Sequence, residues 1–395
     1  MSDSEKRLHT KLRQLNSFIT AIGTKDADPL SVKTLGKLGS SQDGHKRFDT
    51  LSDLLAGILA DDHPNHPVRQ TIKDFLSKLA DHFRNMAHSP TTEVHSNPTF
   101  TFGGYDFHRV GDQPASAVHE RITTQALDQA RRALNLPIPS DDASLRHQYR
   151  HYVQGSFWND DPENIVFSDG PTAYGDNRLQ WGVIMIQKGI ARERYPLLLR
   201  SHYGDLQFFH AMACTDGEQP AETLEKILGW AKFTYAVGTR PNLIDAPVSI
   251  MTGQDVGHVG RFFADSDHTV RTLFCHNIDE DFDVASVQQR AIGSLLHMIQ
   301  DSFVDSHVAR NGLGQIVEFH SYTHQNTIKH ANQDGLLDNR IEDTPGARQA
   351  VLYSQTVLQM LFQRAEWSVV ENLLRQKVFV LASDVRTASP GENYR

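Results

Sequence analysis

The sequence predicts a mainly α-helical protein, and three observations support this. Apolar residues recur three and four positions apart over segments such as Phe48–Leu59 and Ile72–Phe83, which is typical of one-faced helices. Runs with strand character are short, the best being Trp181–Ile186. The chain of 395 residues is 39% hydrophobic and contains 20 Phe and 4 Trp, enough to bury a sizeable core. We therefore expect a multi-helix fold.

Further helices are predicted along the chain from the same spacing of apolar residues. In order, they are Ala115–Leu134, Ala143–Gln154, Thr223–Val237, Val284–Val308 and Arg348–Leu381. The polar stretch His88–Gly104 interrupts the regularity with prolines and a glycine pair. We interpret it as a boundary. Residues 1–100 would then form a helical N-terminal extension, acting as a lid or a regulatory region, and residues 101–395 the main domain.

Charge and cysteine content narrow the class of protein. The chain has 39 basic and 48 acidic residues and a net charge of −9, which argues against a nucleic-acid-binding protein. Cys214 and Cys275 are too few for a disulfide framework or a thiolate zinc site. The N-terminus lacks the apolar core of a signal peptide, and no window is apolar enough to span a bilayer. We expect a protein without a signal peptide, cytoplasmic or exported by a leaderless route.

Histidine is unusually frequent, at 21 residues, and most of it lies between residues 101 and 330. Imidazole is the commonest metal ligand in proteins. In the segment Gly293–His307, His297 and Asp301 stand four apart on a predicted helix, so their side chains share one face. Together they can grip one metal ion. The alternative is an amphipathic helix with a histidine–aspartate pair at its surface. His307 follows six residues after Asp301, about where the helix should end.

A second histidine pair repeats this spacing. His320 and His324 are four apart, while His330, ten beyond His320, would point to another side of a helix. The alternative is a polar helix rich in histidine. Upstream, His119 lies on an apolar-patterned helix, where a lone histidine is more often a core residue. The remaining candidates are Asp160 and Asp161, which follow an aromatic pair, and the histidines His202 and His210. None of these upstream residues is specific alone.

Taken in chain order, these residues resemble the bacterial zinc-dependent phospholipase C family. The resemblance is closest to its leaderless, phosphatidylcholine-hydrolysing branch, and three-zinc P1-type nucleases are more distant kin. The family pattern is a histidine on an early helix, an aspartate in a glycine–aromatic turn, a lone histidine, H-x3-D-x5-H and a final H-x3-E/D motif. It covers roughly residues 105–330. The resemblance implies a catalytic domain over residues 101–395 that uses three Zn²⁺ ions.

The family pattern assigns ligands residue by residue. The first zinc would be held by Asp160, His210, His297 and Asp301, the second by Asp301 and His119, and the third by His307, His320 and His324. We prefer His210 to His202, which would then contact substrate or support a ligand. His324 stands where the family has a carboxylate. The N-terminal tryptophan ligand of secreted members has no counterpart here, so His108, or alternatively Asp106, is expected to replace it.

The resemblance also implies an activity. Such an enzyme hydrolyses phosphatidylcholine to diacylglycerol and a phosphorylated headgroup. Phosphatidylethanolamine is a further candidate substrate. Asp160 is the candidate catalytic residue, because a carboxylate there can orient or deprotonate the attacking water. Aromatic faces and a carboxylate suit a choline group, and the candidates are Trp158, Phe208, Tyr203 and Asp161. The alternative is that these aromatic residues belong to the core and that Asp161 caps a turn.

The expected partners are a phospholipid substrate and, transiently, a membrane surface, with no nucleic acid. The segment Arg348–Leu381 could contact a bilayer, but its mixed charges favour a helix packed in the core. Two other functions remain open from the sequence. One is a three-zinc single-strand nuclease or phosphodiesterase, and the other is a metal-stabilised helical interaction protein without enzymatic activity.

Overall fold

A computed structural model of the protein describes residues 118–162, 196–275, 282–325, 330 and 345–394. Its helices are α1 (Val118–Ala133), α2 (Asp142–Ser156), α3 (Pro196–Tyr203), α4 (Pro220–Thr239), α5 (Val270–Phe274), α6 (Val284–Asp301), α7 (Pro345–Phe362) and α8 (Trp367–Leu373). Two short antiparallel strands, β1 (Val308–Arg310) and β2 (Ile316–Phe319), form a hairpin. The described residues are therefore mainly helical, as the sequence predicts.

Several helices begin at residues whose side chains satisfy the first backbone N–H groups. Asp141 accepts a hydrogen bond from the backbone of Ser144 at the start of α2. Asp283 does the same for Ser286 at the start of α6. Such caps replace bonds that the first turn of a helix cannot make internally. The starts of α2 and of α6, the helix that carries His297 and Asp301, are thus set locally.

Helix α6 lies at the centre of the described core. Its second half is buried on every side, which its sequence AIGSLLHMIQD allows because the small residues permit close approach of its neighbours. Gly155 of α2 and Gly293 of α6 face each other at the crossing of the two helices. On another side, the indole of Trp230 from α4 packs against Trp158 and Phe209. An aromatic layer therefore supports the helix that carries His297 and Asp301.

The structure confirms the predicted helices Ala115–Leu134, Ala143–Gln154 and Thr223–Val237 to within a few residues. The predicted helix Val284–Val308 is wrong in its last turns, because the chain leaves the helix after Asp301. The side chain of Arg310 donates to the carbonyl of Ser302 and stabilises this end.

The predicted helix Arg348–Leu381 is in fact two helices, α7 and α8. Arg364 adopts a left-handed conformation with φ 55° between them. The backbone of Ala365 bonds back to Met360 and that of Arg364 to Leu361, which is a Schellman ending. Beyond α8, the chain continues as a π-helical turn, Leu374–Val378. Val357 and Leu358 of α7 are fully buried, so α7 packs into the core. This is the alternative that the mixed charges of the segment favoured over contact with a bilayer.

A third correction concerns the segment that follows β2. His320 and His324 do not share a helix, because the backbone at His320 is extended and bridges to Ser389. Only a short 3-10 turn, Tyr322–His324, follows. Residues 380–391, here named the returning segment, run beside β2 and bond to Ile316, Val317 and Ser321.

Some predictions concern residues that the structure does not describe. They are the helices Phe48–Leu59 and Ile72–Phe83, the strand Trp181–Ile186 and the boundary at His88–Gly104. The described ranges belong to one unit, Phe100–Asn164 with Tyr195–Arg395, and the division at residue 100 stays a prediction. Among the helices described, none is long and apolar enough to cross a membrane.

Candidate metal centre

Six of the predicted ligands converge at one buried centre. They are His119 on α1, Asp160 just after α2, His210 at the end of a 3-10 turn, His297 and Asp301 on α6, and His307 just before β1. Their nitrogen and oxygen atoms form three overlapping groups, each with all its atoms within 4.8 Å of one another. The groups are His119–His297–Asp301, Asp160–His210–His297 and His210–Asp301–His307. These buried clusters could hold a metal ion.

Asp301 is the shared carboxylate of the centre. Its Oδ2 atom lies 2.8 Å from Nε2 of His297, one helical turn earlier, and 2.9 Å from Nδ1 of His210. Its Oδ1 atom lies 3.4 Å from Nε2 of His119. Nδ1 of His307 is 3.5 Å from Oδ2. One buried side chain therefore contacts donors from four separate segments.

Asp160 is the more open of the two carboxylates. Its Oδ1 atom lies 3.7 Å from Nε2 of His297 and 3.8 Å from Nδ1 of His210. The side chain keeps 25% of its surface exposed, against 3% for Asp301. The chain leaves α2 at Ser156 and makes tight turns through Phe157, which direct Asp160 back over α6. A carboxylate at this place can reach both the buried donors and solvent water.

The outward-facing nitrogens of two histidines are fixed by carbonyl acceptors. Nδ1 of His297 lies 2.6 Å from the carbonyl of Ser156. Nδ1 of His119 lies 2.8 Å from Oε1 of Gln300, whose amide nitrogen donates to Thr123. A carbonyl oxygen only accepts, so the Nδ1 atom of each ring carries a proton and its Nε2 atom faces Asp301. This is the usual arrangement around histidines that bind metals.

The electrostatics of the centre favour a cation. A lone pair 2.8 Å from a carboxylate is repelled unless a proton or a metal ion lies between them. Burial disfavours charged His297, but the carboxylates of Asp301 and Asp160 outweigh it and raise its pKa to about 9. Burial would also raise the pKa of Asp301, yet His297, His307 and His119 hold it well below its usual range. The carboxylate thus stays ionised inside the protein.

His210 is neutral at physiological pH. Burial lowers its pKa to about 4, although Asp301 acts in the opposite direction. A neutral imidazole is the form that binds metals. The donor set therefore combines nitrogen ligands with ionised carboxylates and contains no sulfur, which fits a divalent ion such as zinc.

Asn159 connects the segments that carry the ligands, and sequence reasoning missed it. Its amide nitrogen donates to the carbonyls of Phe209, at 2.6 Å, and Ser294. The hydroxyl of Ser294 donates to Oδ1 of Asn159 and accepts from the indole of Trp230. Asn159 thus joins the neighbours of Asp160 and His210 to α6. The only sequence signal was a polar residue between Trp158 and Asp160.

The β1–β2 hairpin places His320 beside His307. His307 precedes β1 and His320 follows β2, and the backbone N–H of His320 donates to the carbonyl of His307 at 2.8 Å. The ring of His320 is buried, with Nδ1 3.1 Å from the carbonyl of Ser306. His320 nevertheless lies outside the three converging groups. It is a neighbour of the centre, brought there by strand pairing.

His324, also predicted as a ligand, does not lie among the converging residues. Its side chain is 69% exposed, and its Nδ1 lies 2.6 Å from Oδ2 of Asp216. The reason is the extended backbone at His320, which removes the helical spacing on which the prediction rested. His330 is buried instead, with its ring centroid 4.8 Å from that of His307. Sequence reasoning missed His330 because it placed His320 and His330 on one continuous helix, whereas the backbone at His320 is extended.

His202 is buried next to the centre but outside the three groups. Its ring centroid lies 4.8 Å from that of His210, and its Nδ1 lies 2.9 Å from the carbonyl of Leu198. Burial holds the pKa of His202 well below its usual range. The structure thus places His210, rather than His202, among the converging donors. The predicted positions His108 and Asp106 lie outside the described residues.

The residues predicted for headgroup binding are mostly core residues. Trp158 is 4% exposed, stacks on Trp230 and donates its indole N–H to the carbonyl of Leu273. Phe208 is fully buried, which matches the alternative weighed for the aromatics. Asp161 is also buried, and Tyr203 is partly exposed beside His202. Neither Trp158 nor Phe208 has a face available to a choline group.

Comparison with family models, with curated proteins and with solved structures gives no match for this chain. The function of the protein must therefore be inferred from the geometry of the candidate metal centre.

Proposed function

We propose that the protein is a zinc-dependent phospholipase C, which hydrolyses phosphatidylcholine to diacylglycerol and a phosphorylated headgroup. One observation carries the proposal. Six histidine and aspartate side chains converge in overlapping groups that share Asp301, and Asp160 at their edge reaches solvent. Clustered metal ions with a shared carboxylate suit the hydrolysis of a phosphodiester, whose anionic charge otherwise repels an attacking oxygen.

Three zinc ions are part of the proposal. The first would be held by Asp160, His210, His297 and Asp301, the second by Asp301 and His119, and the third by His307 and His320. Bound zinc supplies positive charge for the phosphate oxygens and lowers the pKa of a coordinated water to about 7. Since His324 is exposed at the surface, the third ion has fewer ligands from the described residues than the family pattern would provide.

The protein's own residues orient the reaction. Asp160 accepts the proton of the attacking water at its carboxylate, since this is the partly exposed acid of the centre. Asp301 stays ionised and holds His297 and His119 in position. The carbonyl of Ser156 keeps the proton of His297 on Nδ1, so that Nε2 faces inward. Together these contacts fix the site before substrate arrives, which lowers the reorganisation that the reaction requires.

A substrate panel tests the proposal. Purified protein is loaded with zinc and offered phosphatidylcholine, phosphatidylethanolamine, sphingomyelin and single-stranded DNA, with and without chelator. We expect release of phosphocholine that stops with chelator and returns with zinc, while DNA stays intact. Chelator-sensitive cleavage of DNA without lipid turnover would favour a nuclease. Zinc binding without either turnover would favour a metal-stabilised interaction protein.

A further inference from the structure

The turn at the tip of the β1–β2 hairpin is rigid and carries a leucine whose side chain is exposed to solvent. The side chain of Leu313 is 83% exposed, the highest value for a large hydrophobic residue in the described part of the chain. Leu313 stands between Gly312 and Gly314, and Gly314 has φ 77°, a left-handed conformation that favours glycine. Single exposed leucines are common on proteins, so the structure of the turn decides whether this one matters.

Hydrogen bonds hold that turn in one conformation. Oδ1 of Asn311 accepts from the backbone N–H groups of Leu313 and Gln315, both at 3.0 Å. The guanidinium of Arg310 donates to the carbonyl of Gly314 at 2.8 Å and lies over the ring of Phe303. The apolar side chain is therefore held in water by a fixed framework, and it loses little conformational entropy when it meets a partner.

Leu313 also lines a cleft that extends to the metal centre. The cleft has a volume of about 860 Å³, and its lining includes both Leu313 and the ligand His119. Phe303 and Tyr353 stack in its wall and provide apolar surface. Among the described residues that line the cleft, the exposed charged side chains are the cations Arg348 and Lys377 and the acid Asp305. The protein as a whole carries a charge of −9, whereas these three exposed side chains of the cleft sum to +1.

We propose that the hairpin tip and the cleft rim form a docking surface for a bilayer that contains anionic lipid. Leu313 inserts at the boundary between headgroups and acyl chains, and Arg348 and Lys377 contact lipid phosphates. The surface of such a bilayer has negatively charged headgroups outside and apolar acyl chains beneath them. An apolar side chain flanked by cations complements both layers. The choice of a lipid partner rests on the proposed phospholipase function. The surface would orient the mouth of the cleft towards the bilayer.

Vesicle binding tests the docking surface. Full-length protein is sedimented with vesicles of phosphatidylcholine alone and of equimolar phosphatidylcholine and phosphatidylglycerol. We expect stronger binding to the anionic vesicles. In Leu313→Ser the affinity for these vesicles should fall roughly tenfold, because this corresponds to the free energy of transferring one leucine side chain out of an apolar environment. Ile250→Ser is the matched control, because Ile250 is 64% exposed but does not line the cleft. Replacing the same residue by another large apolar side chain, in Leu313→Trp, should keep the binding that Leu313→Ser loses.

Turnover separates this proposal from the proposed function. Each variant is also assayed on short-chain phosphatidylcholine below its micelle concentration and on the vesicles. We expect Leu313→Ser to keep wild-type turnover of the dispersed lipid and to lose turnover on vesicles. If wild-type protein hydrolyses neither lipid, the phospholipase proposal fails, while vesicle binding still decides the docking surface. Wild-type binding by Leu313→Ser, or self-association through Leu313 without vesicles, would overturn the docking surface.

Discussion

Gly155 of α2 and Gly293 of α6 lie so close that a Cβ atom on Gly293 would come within 2.6 Å of the Cα of Gly155. We predict that Gly293→Ala lowers the free energy of unfolding by about 1–3 kcal/mol, because backbone must move to admit the methyl group. Denaturant unfolding measures this change. Gly312→Ala is the control, since a Cβ there would meet no atom within 4 Å. Equal stability of both variants would contradict the close crossing.

Asp301→Asn should remove most of the bound metal. The shared carboxylate contacts His119, His210 and His297, and an amide there carries no negative charge to attract a cation. Metal content after dialysis, measured by mass spectrometry, checks this. The matched control is Asp305→Asn, four positions along the chain, where the side chain is exposed. Retention of full metal content by Asp301→Asn would refute the central role of Asp301.

Asp160→Asn should affect turnover more than metal content. The amide can no longer take a proton from water, so we expect turnover to fall by about 10²–10⁴-fold. Most of the metal should remain, because the buried donors around Asp301 are unchanged. Parallel assays of zinc content and phosphocholine release distinguish the two effects. Wild-type turnover in this variant would exclude Asp160 as the proton acceptor.

His151 should make the protein less stable in acid. Burial and nearby Arg290 lower its pKa to about 4 from a usual value of 6.5. The unfolded chain therefore binds more protons between these values, and the contribution of His151 to stability is lost as pH falls from 6.5 towards 4. Unfolding measured across this range should show a shallower decline in His151→Gln than in wild type. The exposed His147 provides the control variant His147→Gln.

His324→Ala should leave the metal content unchanged. Its imidazole is largely exposed and pairs with Asp216 rather than with the converging donors. His307→Ala should lose metal, because His307 lies against Asp301. Titration of zinc into the metal-free variants, followed by calorimetry, compares the number of ions bound. A lost ion in His324→Ala would show that the side chain moves inward when metal binds.

Spacing along the sequence predicted part of the site well. His297 and Asp301 share a face because the segment around them has long, continuous helical periodicity, which local physics favours strongly. The helices α1, α2 and α4 were predictable for the same reason. The convergence of His119, Asp160 and His210 on this pair followed only from the family resemblance, since no local rule brings distant segments together.

The same spacing failed at His320 and His324. Four-residue spacing means a shared face only in a helix, and Ile316–Phe319 is instead paired with Val308–Arg310 as a hairpin. Strand pairing depends on partners elsewhere in the chain, so a short apolar run does not reveal it. Asn159 was missed for a related reason, because its importance lies in contacts with Phe209 and Ser294.

The returning segment has a consequence for the order of folding. The extended stretch that carries His320 is paired with Ser389, far along the chain, and the side chain of Gln325 bonds to Pro390. Contacts between distant residues form only after a long loop has closed. Closing such a loop costs conformational entropy, and this makes the step slow. The helical pair His297 and Asp301 can be in place early, whereas the histidines at the base of the hairpin are completed late. With the three ions of the proposed function, metal uptake during refolding would occur in separate phases, and binding of the last ion would mark arrival at the native state.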